Sequence, residues 1–409
     1  MSRHKYKPTI GIETHIQLNT NTKLFSAVGN DARQAPPNTL ISHIDAGMPG
    51  ALPVLNQKAV ELSAIAALAL HTEPQKFSRF ERKHYFYPDL PKGYQITQLE
   101  NSIIMGGYVD IPSGDITKRV SIARANLEED AGKNIHPPGA DYSLVDLNRA
   151  GTPLLEIVSR PEINSAAEAK AYAREMWLTM KYAGVTDGDL YLGHVRFDVN
   201  VSVSADADKL GTRSEIKNLN SFRSVENAVT YEINRQIDLL ERGGIVDQET
   251  RGWDEAKQAS TSQRGKEEAQ DYRYMPEPDI PPIELEDDYI NKAKSQLPKL
   301  PVEIRTELST YKLEPKIIED VLDNPAIYDK LSKAVVSEAS PEIIRRVVFD
   351  SLEEPQSLQI GIQDHIKVAQ LLITKKISSN SAKEILLAKI KGPAKSIEEL
   401  AADKQQVSD

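Results

Sequence analysis

The sequence predicts an α+β chain: a strand-rich domain over residues 1–285 with flanking helices, followed by an all-helical domain over residues 286–409. Three observations carry this. Polar and apolar residues alternate with a period of two at residues 11–18 and again at 196–204, which is the strand signature. Two stretches, 166–182 and 222–242, have helical composition and marked ends. Past Pro281-Pro282 the chain turns acidic, Lys-rich and helical, with few strand signals.

At 409 residues the chain is long enough for two or three domains with a well-buried core. Its 40% hydrophobic and 27% charged residues are ordinary for a globular protein. A formal net charge of -10 argues against wholesale coating of nucleic acid but leaves room for a local basic patch. There is no cysteine, which excludes disulfides, thiolate zinc sites and a cysteine nucleophile, and fits a cytoplasmic protein. The basic start, Met1 to Pro8, is not followed by an unbroken apolar core, so no secretory signal is expected. The most apolar run, residues 62–70, contains Ser63 and is far too short to span a bilayer. A soluble protein with no membrane partner is expected.

The first strand, residues 11–18, sets Glu13, His15 and Gln17 on one face and Ile12, Thr14, Ile16 and Leu18 on the other. A solvated strand gives the same pattern; recurrence downstream favours a face of ligands. A loop-rich stretch with Pro36, Pro37, Pro49 and Pro53 follows, then a core helix over residues 59–70 with His71 at its end. In residues 79–98, Arg79, Arg82, Lys83 and His84 run into Tyr85, Phe86, Tyr87 and a Pro-rich loop. Cations interleaved with aromatics suit a nucleotide or an RNA end. They equally suit a strand with its aromatics packed inward.

Residues 103–109 and 120–127 read as a strand pair joined through Pro112-Ser113-Gly114-Asp115. The second strand runs into Glu128, Glu129 and Asp130, which repel one another unless solvated or neutralised by a cation. Extended there, Asn126, Glu128 and Asp130 share a face. Asp146, Asn148 and Arg149 precede a Gly151-Thr152-Pro153 turn and the apolar run 154–158, in which Glu156 is costly to bury unless paired or metal-bound.

Ser165 and Glu168 have capping-box spacing for the helix 166–182, and Gly184 stops it; Met176, Trp177 and Met180 form a core stripe. Residues 196–204 place Arg196, Asp198, Asn200 and Ser202 on one face, with Phe197, Val199, Val201 and Val203 on the other. An antiparallel neighbour holding Glu215 and Lys217 would set them opposite Asp198 and Asn200. Ser221 caps the helix 222–242, with Val225, Val229, Ile233, Ile237 and Leu240 as its apolar stripe. Residues 248–282 form a further polar strand system, including Arg264-Gly-Lys-Glu-Glu268, and residues 280–285 a linker.

The familiar phosphate loops and the Gly-x-Ser-x-Gly elbow are missing. The strand faces instead offer Glu13, His15, Glu128, Glu156, Asp198 and Glu215, with Arg and Lys nearby. Hard oxygens plus one imidazole suit Mg²⁺ or Mn²⁺, and Mg²⁺ with strand-borne cations equips a site for phosphoryl transfer without a protein nucleophile. A metal-free binding protein and a metal-dependent hydrolase fit the same residues.

The motifs resemble one family along almost the whole chain: the B subunit of the glutamyl-tRNA(Gln)/aspartyl-tRNA(Asn) amidotransferase, the GatB component of the GatCAB complex. The runs that carry the resemblance include Gly11-Ile-Glu-Thr-His-Ile-Gln-Leu18, Tyr85-Phe-Tyr-Pro-Asp-Leu-Pro-Lys92 and Leu127-Glu-Glu-Asp-Ala-Gly-Lys133. Pro153-Leu-Leu-Glu-Ile-Val-Ser159, Glu215-Ile-Lys-Asn-Leu-Asn-Ser-Phe-Arg223 and Asp271-Tyr-Arg-Tyr274 follow in the same order. The resemblance implies an antiparallel-sheet cradle domain followed by a helical domain. It implies an ATP- and Mg²⁺-dependent step that phosphorylates the side-chain carboxylate of Glu-tRNA(Gln) or Asp-tRNA(Asn). Ammonia released from glutamine by the amidase (A) subunit then attacks, with the small C subunit completing the heterotrimer.

Carried over by resemblance, His15, Glu128 and Glu156 match metal ligands, with Glu13 beside them. Asp198, Asn200, Glu215 and Lys217 match the part facing ATP and a second cation, and Arg149 and Arg196 are candidates to neutralise phosphate. Asn126, Arg160 and Tyr191-Leu192 depart from residues usual in the family. The end of the chain, 405–409, matches the junction to a C-terminal tail domain that contacts tRNA. That tail is expected to be absent, either because the chain is cut short or because the lineage lacks it; if it is cut short, weaker tRNA binding with the ATP site intact is expected. Two rival readings remain: a non-catalytic tRNA-binding scaffold working through Arg82, Lys83, Arg345, Arg346, Lys375 and Lys376, and a metal-dependent phosphoesterase.

Overall fold

The structure, a computed structural model, describes residues 5–114, 116–206, 208–264 and 271–405. Asp115 of the expected turn, residues 265–268 of the polar strand system and residues 406–409 of the expected junction lie outside the described residues. The chain divides into two compact units, Met1–Pro298 and Lys299–Asp409.

The first unit opens with β1 (Lys7–Gln17), α1 (Gln57–Ala69), β2 (Phe77–Ser78), β3 (Glu81–His84) and β4 (Tyr94–Thr97). Next come β5 (Ile104–Met105), β6 (Tyr108–Ser113), β7 (Ile116–Glu129), β8 (Lys133–Ile135), β9 (Leu144–Asp146) and β10 (Pro153–Ser159). After α2 (Ala166–Tyr182) follow β11 (Val195–Ser204), β12 (Ser214–Leu219), α3 (Phe222–Glu241), β13 (Glu249–Asp254) and β14 (Ala259–Arg264). β15 (Met275–Pro276), β16 (Ile283–Glu284) and α4 (Asp287–Gln296) close the unit. The second unit is helical, from α5 (Pro301–Thr310), α6 (Pro315–Asp323), α7 (Pro325–Val336) and α8 (Pro341–Glu353) to α9 (Ile362–Ile373), α10 (Ser379–Lys391) and α11 (Ile397–Gln405). Proline stands in the first turn of α5 to α8, where its missing N–H costs nothing and its fixed φ starts the helix. No helix among the described residues is long and apolar enough to cross a membrane.

The main sheet has nine strands in the order β14-β13-β12-β11-β1-β10-β7-β5, with β6 paired to β7. Its pairs are antiparallel except β12 with β13, which run parallel and are joined by α3 as the crossover. One face is closed by helices. Ile12, Ile16, Phe197, Val199 and Val201 are fully buried there with Met176 of α2 and Val225 and Val229 of α3. Phe222 stacks edge-on to Trp177 at 5.5 Å and lies 6.1 Å from Phe197, locking α2 and α3 to the sheet. Each such side chain is worth roughly 1.5–3 kcal/mol of burial. The opposite face carries the polar residues, and over β7 it is covered by β4, whose Thr97 meets buried Glu128.

The structure departs from the sequence reading at identifiable places. The strand expected over 103–109 breaks at Gly106 and Gly107, both with positive φ, and β6 rather than β5 forms the hairpin with β7. The Ser165 hydroxyl accepts from the Glu168 N–H at 3.1 Å, but the Glu168 carboxylate accepts from the Asn164 N–H and pairs with Lys118, so only half of the capping box forms. The buried side of α3 includes Glu232 and Gln236 beside its apolar stripe. The first unit extends past residue 285, because α4 packs on α1 and is pinned by Lys76–Asp287 and Lys294–Glu73 ion pairs at 2.6 Å.

Candidate active site

Register gathers the polar residues. Along β1, Glu13 stands opposite Asp198 of β11 and His15 opposite both Arg196 of β11 and Glu156 of β10. Glu156 in turn faces Asn126 of β7, with Glu128 one pleat along opposite Leu154. On the other side Asn200 faces Glu215 of β12. Because side chains two apart share a face, a single polar surface crosses β7, β10, β1, β11 and β12.

At the β11–β12 end, one oxygen each from Glu13, Asp198 and Glu215 lies within 4.8 Å of the others, and all three side chains are half-buried. Lys217 reaches into this group, 3.2 Å from Asp198 Oδ2 and 3.1 Å from Glu215 Oε1. Asn200 donates to Glu13 Oε1 at 3.1 Å, and the Thr250 hydroxyl donates to Glu215 Oε2 at 2.9 Å. Burial, then the charges of Glu156 and Glu215, push the Glu13 carboxyl up to about 7. Burial opposes the Lys217 ammonium, but Asp198 and Glu215 outweigh it and hold it above the usual lysine range. Carboxylates this close, compensated by one lysine, are the hard-oxygen donor set that Mg²⁺ takes.

At the β10–β7 end stand His15, Glu156 and Glu128. Asn126 donates to Glu156 Oε2 at 3.2 Å and the Thr97 hydroxyl to Glu128 Oε2 at 2.7 Å. Burial, reinforced by Glu156, lifts the Glu128 carboxyl well above the ordinary range. These three share the face, yet among the described residues the set Glu13, Asp198 and Glu215 is the one whose ligand atoms converge. The tightest cation geometry thus falls on residues expected to face ATP and a second cation.

A further cation comes from outside the sheet. Lys83 lies on β3, in a separate three-stranded sheet with β4 and β15. Its ammonium, opposed by burial, is held above the usual range by Glu128, Tyr274, Glu156 and Tyr272, and sits 4.7 Å from the Tyr272 ring centre. Lys83, Thr97 and Thr250 are not among the residues that the sequence assigns to the site. Lys83 has a signal, its place among cations and aromatics, but nothing local says which sheet it meets.

The two arginines differ. Arg196 donates to Asp130 Oδ2 at 2.6 Å, leaving its buried Nε without a partner. Arg149 donates to the carbonyls of Ala131 at 3.0 Å and Gly132 at 2.6 Å and lies 3.5 Å from Asp130, so it braces the turn after β7. Of the scaffold cations, Arg82 makes a two-pronged pair with Glu277 and Arg346 pairs with buried Asp350. Both are engaged within the protein.

Two hollows flank the polar face. One, of about 760 Å³, is lined by Glu13, Asn200, Val158, Leu210, Arg213 and Ile245. It is nucleotide-sized and mixes apolar walls with polar groups. The other, of about 550 Å³, is more polar and is lined by Gln17, Asn30, Lys133, Asn148, Arg149 and His194.

Comparison with known proteins places the chain in a family. The family model described as the GatB/GatE catalytic domain matches residues 8–291. The B subunit of the aspartyl/glutamyl-tRNA(Asn/Gln) amidotransferase of Coxiella burnetii (strain RSA 493 / Nine Mile phase I) is 50% identical over 303 residues, covering 74% of this chain and 63% of that protein. The match therefore spans less than two thirds of the Coxiella relative. The corresponding B subunit of Thermotoga maritima is 41% identical over 396 residues, covering 93% of this chain and 82% of that protein. On the extent of these matches, the chain belongs to the GatB/GatE catalytic-domain family.

Proposed function

We propose that this chain is the ATP-dependent kinase component of a tRNA-dependent amidotransferase. Its substrates are Glu-tRNA(Gln), Asp-tRNA(Asn) or both, and its partners are an amidase (A) subunit and a small C subunit. The observation that carries the reading is the Glu13–Asp198–Glu215 group with Lys217, bordering a nucleotide-sized hollow that shares Glu13 and Asn200.

A side-chain carboxylate is a poor acyl donor. Its oxygen attacks the γ-phosphorus of ATP, a P–O bond forms as the bond to ADP breaks, and the product is an acyl phosphate. Ammonia supplied by the amidase subunit then attacks the acyl carbon; phosphate leaves with the C–O electron pair, and loss of a proton gives the amide. Bound Mg²⁺ supplies charge neutralisation and phosphate orientation. Glu13, Asp198 and Glu215 would hold it, with His15, Glu128 and Glu156 as the second candidate set. Lys217, Lys83 and Arg196 offer positive charge to the reacting phosphate and carboxylate, while Asn200 orients Glu13. The acidic wall also repels a free carboxylate substrate, so delivery by the bulky charged tRNA and neutralisation by cations fit together.

The test is ADP formation by the chain assembled with its A and C partners. ADP is expected only when charged tRNA is present, and it is expected to fall at least a hundredfold in Glu156→Ala and in Glu215→Gln, the order of loss expected for removing one directed electrostatic contact. ADP formation indifferent to charged tRNA would sink the reading in favour of a tRNA-binding scaffold or a phosphoesterase.

A further inference from the structure

We propose that Phe86 and Tyr87 form a stacking platform for the terminal nucleobase of the charged tRNA, and so position the aminoacyl carboxylate over the polar face. The inference rests on the function proposed above.

Phe86 is 86% exposed and its neighbour Tyr87 60% exposed, although β3 of the three-stranded sheet ends only two residues before Phe86, at His84. The loop that carries them is braced. The Tyr85 N–H donates to the Gly93 carbonyl at 3.1 Å, Leu90 to Tyr87 at 3.0 Å, Gly93 to Leu90 at 3.0 Å, and Gly132 to Asp89 at 2.9 Å. Lys92 is paired with buried Glu129, and Leu90 is buried. The Phe86 ring rests against Gly93, which has φ +74°; a Cβ there would meet Phe86 Cε1 at 3.0 Å. The backbone that carries the ring is thus fixed, and the ring touches Gly93 with most of its surface open. Two adjacent aromatics presented in this way offer flat area at low ordering cost.

Position selects the occupant. The Gly132 N–H bond to the Asp89 carbonyl and the Lys92–Glu129 pair seat the loop against the end of β7 and the turn after it, whose Ala131 and Gly132 carbonyls accept from Arg149. The loop that carries the platform therefore borders the corner where Asp130 meets Arg149 and Arg196. The substrate carboxylate is tethered through its amino acid to the terminal ribose. When it lies on the polar face, the terminal base lies within one nucleotide's reach. Lys133 and Arg149, lining the polar hollow at this corner, complement the adjoining phosphates. A nucleobase needs an aromatic plane and no particular hydrogen-bond pattern, which is what Phe86 offers.

The chain is assembled with its partner subunits, and ADP formation is measured against charged tRNA and, separately, against ATP. Phe86→Ala should raise the KM for charged tRNA about tenfold, within the range of losses known for a stacked base. The KM for ATP and subunit assembly should be unchanged, and Phe86→Trp should restore the wild-type value. An unchanged KM for charged tRNA overturns the platform while leaving the proposed function standing. Loss of assembly in gel filtration also overturns it, assigning the aromatics to a protein interface. Should wild type form no ADP with charged tRNA, the proposed function falls instead. Direct binding of the charged tRNA without ATP then decides the platform: about tenfold weakening in Phe86→Ala upholds it, and equal binding rejects it.

Discussion

At the scale of single residues, the polar face is a balance of like charges around few cations. Glu13, Asp198 and Glu215 crowd together, and Lys217 is the ammonium among them. An internal ammonium and an added Mg²⁺ answer the same repulsion, so they compete. Lys217→Met should lower the melting temperature in the absence of divalent cation, and Mg²⁺ should then raise it by more than it raises that of the wild type. Thermal melts with and without Mg²⁺ check this; equal shifts in the two proteins would mean that the carboxylates do not share a cation. Membership of this face was legible for Glu13, His15, Asp198, Asn200 and Glu215, because period-two alternation fixes a side chain's face without reference to any neighbour. The cross-strand pairing was legible as well: an antiparallel neighbour was expected to set Glu215 and Lys217 opposite Asp198 and Asn200, and Asn200 faces Glu215 while Lys217 pairs with Asp198. That Glu13 joins Asp198 and Glu215 was not legible, because it depends on the register of β1 against β11. For Lys83 the run of cations and aromatics was legible, but the carboxylates it serves were not, since a different sheet carries it.

At the scale of elements, glycines and buried charges decide how strands are aimed. Gly106 and Gly107 turn the chain from β5 into β6, both with positive φ, but their surroundings differ. A Cβ on Gly107 would come within 2.5 Å of the Leu70 carbonyl oxygen, whereas one on Gly106 meets nothing within 4 Å. Gly107→Ala should cost about 2–4 kcal/mol and Gly106→Ala about 1–2 kcal/mol, read from urea midpoints. The break was invisible in the apolar pattern of 103–109, although paired glycines were its signal. Behind the sheet, fully buried Glu232 of α3 accepts from Arg235 at 2.7 Å and Gln236 at 2.8 Å, with Arg251 of β13 at 3.7 Å. Arg235 also donates to Ser214, next to Glu215. Glu232→Ala removes the acceptor shared by Arg235 and Gln236 and leaves both arginines the single carboxylate of Glu249; it should cost about 1–3 kcal/mol, with loosened Mg²⁺ binding as the accompanying sign, since β12 carries Glu215 and Lys217. In the helical unit, His365 of α9 is fully buried, with Nε2 3.3 Å from Asp350 and Nδ1 unpartnered. Burial lowers its pKa, opposed by the Asp350 hydrogen bond and assisted by Lys330 and Arg346. The unfolded chain therefore binds the proton more readily, so stability is full above the ordinary histidine value of about 6.5 and lost as pH falls below it. Melting curves between pH 7.5 and 5.5 should show this loss in the wild type and a smaller one in His365→Gln.

At the scale of the whole molecule, the change from strands to helices and the boundary between folding units are different events. Composition marks the first near residue 285, where the Pro-rich stretch ends, and the sequence alone offers no reason to look further. The compact units divide after Pro298 because α4, helical in character, belongs by packing to the strand-rich unit. Its buried Ile290 and Ala293, and the pairs Lys76–Asp287 and Lys294–Glu73, tie it there. Local composition reports what an element is, while only long-range contact decides what it joins. Every residue of the polar face, and both hollows beside it, lie before Pro298. A fragment ending at Pro298 should therefore fold and bind Mg²⁺ with an affinity within about threefold of the full chain, a margin of well under 1.4 kcal/mol. A fragment ending at Leu285 exposes the α1 surface that α4 covers. It should melt several degrees lower, because losing the burial of one large apolar side chain already costs roughly 1.5–3 kcal/mol. Comparing the two fragments by thermal melts and Mg²⁺ titration separates the composition boundary from the packing boundary: equal melting would place α4 outside the first unit, and lost Mg²⁺ binding in the longer fragment would mean that the site draws on the helical unit.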